Sequence, residues 1–154
     1  LVALQAQRLV RRVCTHCAEP YRPTSAEIED IGIDAAAFFA GGQPLKVPMR
    51  DEHGAVIPIT AIGGRKLPPT GHIFRAAGCE KCHGSGYSGR TGLYEVLTVT
   101  EEIRRLAIRN ADSGQIKAAA LAQGMRTLRD DGALKVVAGV TTLDEVARVT
   151  AEEA

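Results

Sequence analysis

Apolar residues near the start of the chain recur with helical spacing. Ala6, Leu9, Val10 and Val13 follow the pattern i, i+3, i+4, i+7, and the arginines among them lie off this stripe. This pattern predicts an amphipathic helix over residues 1–13. Such a helix has nothing N-terminal to pack against, so we expect the chain to be the C-terminal piece of a longer protein that continues from a preceding core.

Helix-capping residues and a polar turn divide the segment that follows into short elements. Thr24 with Glu27 three residues later forms a capping box and predicts a short helix, and Asp34 begins another that ends at Gly41. A polar turn at 51–54 between two β-like stretches predicts a hairpin within an inserted region at about 41–70, weakened by its prolines.

The next part of the chain is rich in glycine and then alternates between apolar and polar residues. Residues 71–92 contain six glycines, which is typical of tight turns, and residues 93–99 alternate as a strand does. We therefore assign residues 14–99 to one subdomain of short strands and helices.

The tail has a helical pattern throughout. Residues that favour helix N-caps precede four apolar-periodic segments, at Thr100, at Asp112 or Ser113, at Thr127 and at Thr142. This predicts an all-helical C-terminal bundle over residues 100–154. The fold class is therefore α+β.

Charge and hydropathy exclude some classes of function. The 154 residues carry 19 Lys and Arg against 18 Asp and Glu, so they lack the basic surplus of a nucleic-acid-binding module. No apolar run approaches the ~18 residues of a membrane span, and no secretory signal is visible. We expect no nucleic-acid partner and no direct membrane insertion.

All four cysteines fall into two C-x2-C pairs. Cys14 and Cys17 form the first, Cys79 and Cys82 the second, with 61 residues between the pairs. Each such turn points two thiolates at one ion, and two turns supply a closed tetrahedral zinc site. The sequence predicts one zinc held by Cys14, Cys17, Cys79 and Cys82, with a structural role because no coordination position stays open.

Two other interpretations of the cysteines stay open at this point. A C-x2-C pair can be a redox site, although thioredoxin-like proteins place a single pair at a strand-to-helix turn. Four free buried thiols are also compatible with the sequence. No catalytic arrangement is visible among the 154 residues, and G-x-x-x-x-G-K-[ST] is absent.

The chain resembles the C-terminal end of the secretion traffic ATPases, the motors of type II secretion and type IV pilus assembly. The similarity is carried by residues 6–14, 78–82, 86–95 and 124–146. The tetracysteine pattern favours the type II secretion branch. The departure is the long gap between the cysteine pairs, where residues 45–67 look like an insertion.

This resemblance implies a cytoplasmic, homo-hexameric P-loop ATPase with a RecA-like core, docked on inner-membrane platform proteins. ATP and Mg²⁺ would be bound by motifs before Leu1, so the 154 residues alone are expected to be inactive as an ATPase. The resemblance also implies that the four cysteines are zinc ligands.

A second interpretation is a stand-alone zinc-binding chaperone or adaptor module. The stretch from Cys79 to Gly86 reads C-x2-C-x-G-x-G and is similar to one repeat of the zinc region of the DnaJ chaperones. The first cysteine pair lacks the glycines of such a repeat.

Overall fold

The computed structural model describes residues 2–151, and its elements confirm the α+β class. They are β1 (Ala3–Val13), β2 (Glu19–Tyr21), α1 (Ser25–Glu29), α2 (Ala35–Ala40), a 3-10 turn (Ile59–Ala61), β3 (Ile73–Arg75), β4 (Tyr87–Thr98), α3 (Glu101–Ile108), α4 (Ser113–Ala122), α5 (Leu128–Val137) and α6 (Leu143–Thr150). Within this part of the chain, every helix is too short or too polar to cross a membrane.

The helix predicted for residues 1–13 is wrong, because these residues form strand β1. β1 pairs antiparallel with β4, from Ala3 opposite Thr98 to Val13 opposite Tyr87. Helical spacing and alternation overlap in this segment, and backbone pairing with a distant strand overrides the local helical preference. Leu1, which the prediction also included, lies outside the described residues.

The β1–β4 ribbon has two different faces. Val10 and Leu93 lie on its inner face and are fully buried in the hydrophobic core with Leu134. On the outer face Tyr94 and Val96 keep 42% and 47% of their surface exposed. A second ribbon pairs β2 with β3. The two cysteine turns connect one ribbon to the other.

Between the cysteine pairs, the two short helices are confirmed and the hairpin is not. Thr24 and Glu27 form the predicted capping box of α1, and Asp34 caps α2. The polar turn does fold back, but the segments beside it share only an isolated bridge between Arg50 and Val56. Prolines at 48 and 58 lack the N–H that a longer ladder needs.

The four helices of the tail are confirmed, with caps at Thr100, Asp112, Thr127 and Thr142. Their packing differs from the predicted bundle: α3 packs on α4 and α5 on α6, while α5 and α6 also pack on the β1–β4 ribbon. α5 is buried on several sides, so it has no single apolar stripe. Residues 152–154, the end of the predicted segment, lie outside the described residues.

One buried carboxylate joins the tail to strand β1. Glu145 accepts hydrogen bonds from the Arg11 backbone N–H at 2.7 Å and from the Arg11 guanidinium at 2.8 Å, and Arg148 is its second cationic partner. Nearby, the Val13 N–H donates to the Val140 carbonyl at 2.9 Å. The predicted capping box at Thr142 is therefore only half formed, because the Glu145 carboxylate reaches β1 instead of the helix start.

This carboxylate gives stability a defined pH dependence. Burial tends to raise the pKa of Glu145, but the hydrogen bonds and charges of Arg11 and Arg148 outweigh it and lower the pKa to about 2. The stabilisation is complete above the ordinary glutamate pKa and is lost as the pH falls towards 2.

We expect Glu145→Gln to lower the free energy of unfolding by about 1–3 kcal/mol at pH 7, because a charge-assisted contact is lost. The difference from the unchanged chain should shrink as urea unfolding is repeated from pH 5 down to pH 3. Glu102→Gln, at an exposed glutamate on α3, is the control and should change little. A difference between the Glu145→Gln and unchanged chains that stays constant over this range would contradict the assignment.

Candidate metal centre

The two β ribbons bring the cysteine turns together from opposite sides. The first turn lies between β1 and β2, and the second between β3 and β4. Because β1 pairs with β4 and β2 with β3, both ends of one turn lie beside both ends of the other. The Cys14 N–H continues the first ladder by donating to the Gly86 carbonyl at 2.9 Å.

The four sulfurs form one cluster. Cys14 and Cys79 lie 3.8 Å apart between sulfurs, Cys17 and Cys82 3.8 Å, and Cys79 and Cys82 3.7 Å. All four Sγ atoms lie within 4.8 Å of one another. A tetrahedral zinc with bonds of about 2.3 Å requires sulfurs about 3.8 Å apart. The donor set and its spacing therefore fit zinc.

The spacing does not divide the thiols into separate pairs. A disulfide needs sulfurs about 2.05 Å apart, and all four cysteines are free. The distance within the second turn equals the distances between turns to 0.1 Å. Within residues 2–151, neither His16 nor His83 belongs to the cluster. This geometry favours one four-sulfur site over two redox pairs.

Backbone N–H groups point at the sulfurs. Gly78 donates to the Cys17 Sγ at 3.3 Å, while Cys79 and Gly86 donate to the Cys82 Sγ at 3.2 and 3.1 Å. Hydrogen bonds of this kind stabilise thiolates, the form that binds a metal.

The pKa values of two of these thiols diverge. Burial acts to raise the pKa of the Cys82 thiol, but the two backbone donors and the neighbouring thiols lower it to about 6. Burial and hydrogen bonds from the other thiols raise the pKa of Cys17 to about 11, against the Gly78 donor. In the free-thiol state, Cys82 is therefore the more ready of the two to ionise.

Glycines allow the second turn to close around the sulfurs. Gly86 has a φ of +83°, and a Cβ there would lie 2.5 Å from the Ala76 Cβ. Gly78 has a φ of +106°, and its Cβ would lie 2.8 Å from the Gly84 carbonyl oxygen. The glycines of residues 71–92 predicted tight turns, and Gly86 forms one beside the sulfurs. The role of Gly78 was missed, although its place just before Cys79 was a usable signal.

Comparison with known proteins identifies the family. The protein family described as "Type II/IV secretion system protein" matches residues 1–148. The chain belongs to this family, which confirms the resemblance to the secretion traffic ATPases.

Individual relatives agree with this assignment. The chain is 39% identical over 153 residues to the Type II secretion system protein E of Pseudomonas aeruginosa, covering 99% of this chain and 24% of that protein. It is 34% identical over 152 residues to the Type IV pilus assembly ATPase PilB of Thermus thermophilus, covering 99% and 14%. The Type II secretion system protein E of Dickeya dadantii is 33% identical over 153 residues, covering 99% and 24%. The chain thus spans a quarter or less of these relatives.

Two neighbouring glycines test the geometry of the second turn. Gly84 and Gly86 have nearly the same φ, +81° and +83°, but a Cβ at Gly84 meets nothing within 4 Å. Gly84→Ala should therefore cost only the left-handed backbone strain, about 1–2 kcal/mol. Gly86→Ala should cost more, because Ala76 must also move.

The free energy of unfolding of both variants, measured in urea with equimolar zinc present, compares the two costs directly. Equal losses for Gly84→Ala and Gly86→Ala would contradict the close approach between Gly86 and Ala76.

Proposed function

We propose that this chain is the zinc-binding and helical part of a homo-hexameric ATPase that powers type II protein secretion by pseudopilus assembly. The observation that carries it is the cluster of four sulfurs, with three sulfur–sulfur distances of 3.7–3.8 Å and all within 4.8 Å, in a chain that belongs to the type II/IV secretion family. The protein E of Pseudomonas aeruginosa favours the secretion branch at 39% identity, whereas the pilus ATPase at 34% and the Dickeya dadantii protein E at 33% do not separate the two branches.

The zinc has a structural role in this proposal. Four thiolates fill its coordination shell, so no position stays open for substrate or water. Bound zinc would add a metal cross-link between two turns that β1–β4 and β2–β3 pairing already brings together. We propose that a preceding core hydrolyses ATP, that residues 14–99 form a zinc-binding subdomain and that residues 100–154 form a helical subdomain.

An exposed apolar surface supports a role in assembly. Leu9, Tyr94 and Val96 lie together on the outer face of the β1–β4 ribbon, each 42–49% exposed. Apolar residues clustered on one sheet face are typical of surfaces that another chain segment covers. We propose that the rest of the parent protein, in its own or a neighbouring subunit, covers this face.

The remaining parts of the proposal follow from the family. ATP and Mg²⁺ would be bound outside these 154 residues, since G-x-x-x-x-G-K-[ST] is absent from them. The protein would be cytoplasmic and would reach the inner membrane through platform proteins, without nucleic-acid partners. The chaperone or adaptor alternative loses support, because the family match extends over residues 1–148 and not over one cysteine turn.

The metal can be tested at one cysteine and a matched neighbour. Purified protein should contain about one zinc per chain by mass spectrometry of the metal. Cys79→Ser should lower this content strongly, because one of four ligands is lost. Glu80→Ser introduces the same residue at an exposed position of the same turn and should keep the zinc.

In the full-length protein, Cys79→Ser should also reduce hexamer formation by size-exclusion chromatography with light scattering, and should reduce secretion. A variant without the four cysteines that assembles and secretes normally would contradict the structural role of zinc.

A separate experiment locates the ATPase chemistry. The 154-residue chain should release no phosphate from ATP and Mg²⁺, because it lacks a phosphate-binding loop, whereas the full-length protein should hydrolyse ATP under the same conditions. Turnover by the purified chain that persists after rigorous removal of contaminating ATPases would overturn this account.

A further inference from the structure

A second candidate site lies beside the metal centre. A cavity of about 420 Å³ opens between the end of β1, the two cysteine turns, the start of β4 and the loop that carries Arg65. Its walls include Arg12, His16, Arg65, Lys81 and Ser88. Among the residues that the structure describes, none that lines this cavity is acidic.

The two arginines are held close together. The Arg65 Nη1 donates to the Val13 carbonyl at 2.7 Å, which fixes its guanidinium beside β1. Burial lowers the pKa of Arg65, and the positive charge of Arg12 lowers it further, whereas the negative charge of the Cys14 thiolate raises it. Like charges lie near each other here without a carboxylate between them, an arrangement that an anion would stabilise.

One donor of this cluster is not satisfied by the protein. The Arg12 Nε is buried, and among residues 2–151 it has no hydrogen-bond partner. Over residues 2–151, the ion pairs include neither Arg12, Arg65 nor Lys81. A buried donor without a partner costs about 1–3 kcal/mol. The Arg12 guanidinium therefore has donor capacity that the described protein atoms leave unused.

The cysteine sulfurs do not meet this need. Cys14 reaches the cavity wall, but the hydrogen bonds from N–H groups to the sulfurs come from the backbone of Gly78, Cys79 and Gly86. The sulfurs thus accept none of these hydrogen bonds from a guanidinium, although the Cys14 charge acts on Arg65.

We propose that this cavity binds the phosphate group of an anionic ligand through Arg12, Arg65 and Lys81. Guanidinium forks match the geometry of phosphate oxygens, an ammonium adds a further cation, and the Ser88 hydroxyl can donate at the cavity wall. A phosphate group can come from a soluble phosphate compound or from the headgroup of an anionic lipid. The site is separate from the four-sulfur centre and gives the chain a second binding function.

The test uses the zinc-loaded 154-residue chain in a buffer free of other oxyanions. Inorganic phosphate is titrated in by calorimetry, and vesicles of phosphatidylglycerol are compared with vesicles of phosphatidylcholine by cosedimentation. Arg12→Gln should weaken binding by about tenfold or more, because a charge-assisted donor is lost. Arg8→Gln, on the same strand and exposed, is the matched control and should bind within about twofold of the unchanged chain.

Ser88→Glu provides a second variant that leaves the arginines in place. It puts a carboxylate at the cavity wall and should abolish binding by like-charge repulsion. Zinc content is measured for every variant. If Arg12→Gln loses its zinc, the binding measured for Ser88→Glu tests the proposal instead.

Binding of inorganic phosphate that both variants weaken supports the site with a soluble ligand. Binding confined to phosphatidylglycerol vesicles and weakened by both variants supports it with a lipid headgroup. The proposal is overturned if neither probe binds, or if the zinc-loaded variants bind as tightly as the unchanged chain.

Discussion

The antiparallel pairing of β1 with β4 is the constraint on which the rest of the structure depends. The first cysteine turn begins where β1 ends, and the second turn ends just before β4 begins. The register that sets Val13 opposite Tyr87 thereby brings Cys14 beside Gly86. β2–β3 pairing does the same on the other side of the turns. The four-sulfur geometry is a consequence of backbone ladders, and a bound zinc would cross-link turns that pairing has already placed.

The same ribbon joins the metal centre to the helical tail. Val10 and Leu93 on its inner face enter one hydrophobic core with residues of α5 and α6, and the buried Glu145 bonds to Arg11 three residues before Cys14. A displacement of α6 would therefore strain the Glu145–Arg11 contact, which lies close to the start of the first cysteine turn. The first cysteine turn and α6 are therefore linked through β1, a connection that the proposed structural role requires.

Thiolates and cations lie side by side around the first cysteine turn. The sulfurs receive hydrogen bonds from backbone N–H groups, while the Arg12 Nε has no partner among the described residues. A phosphate ligand would contact the side chains of Lys81 and Arg12, the first within the second metal turn and the second at the end of β1. Such a ligand would bind where the end of β1, the cysteine turns and the loop that carries Arg65 meet.

Local chemistry along the chain was enough to predict the capped helices and the two cysteine turns. A capping box such as that of Thr24 and Glu27 acts within four residues, and C-x2-C spacing places two sulfurs on one turn, so neither depends on distant segments. Only the tertiary structure decided that β1 is a strand, because its partner lies more than seventy residues away and its own pattern also fits a helix. Distant pairing also decided that Glu145 reaches Arg11 and that Arg12, Arg65 and Lys81 share a cavity, since residues so far apart meet only when the ribbons form.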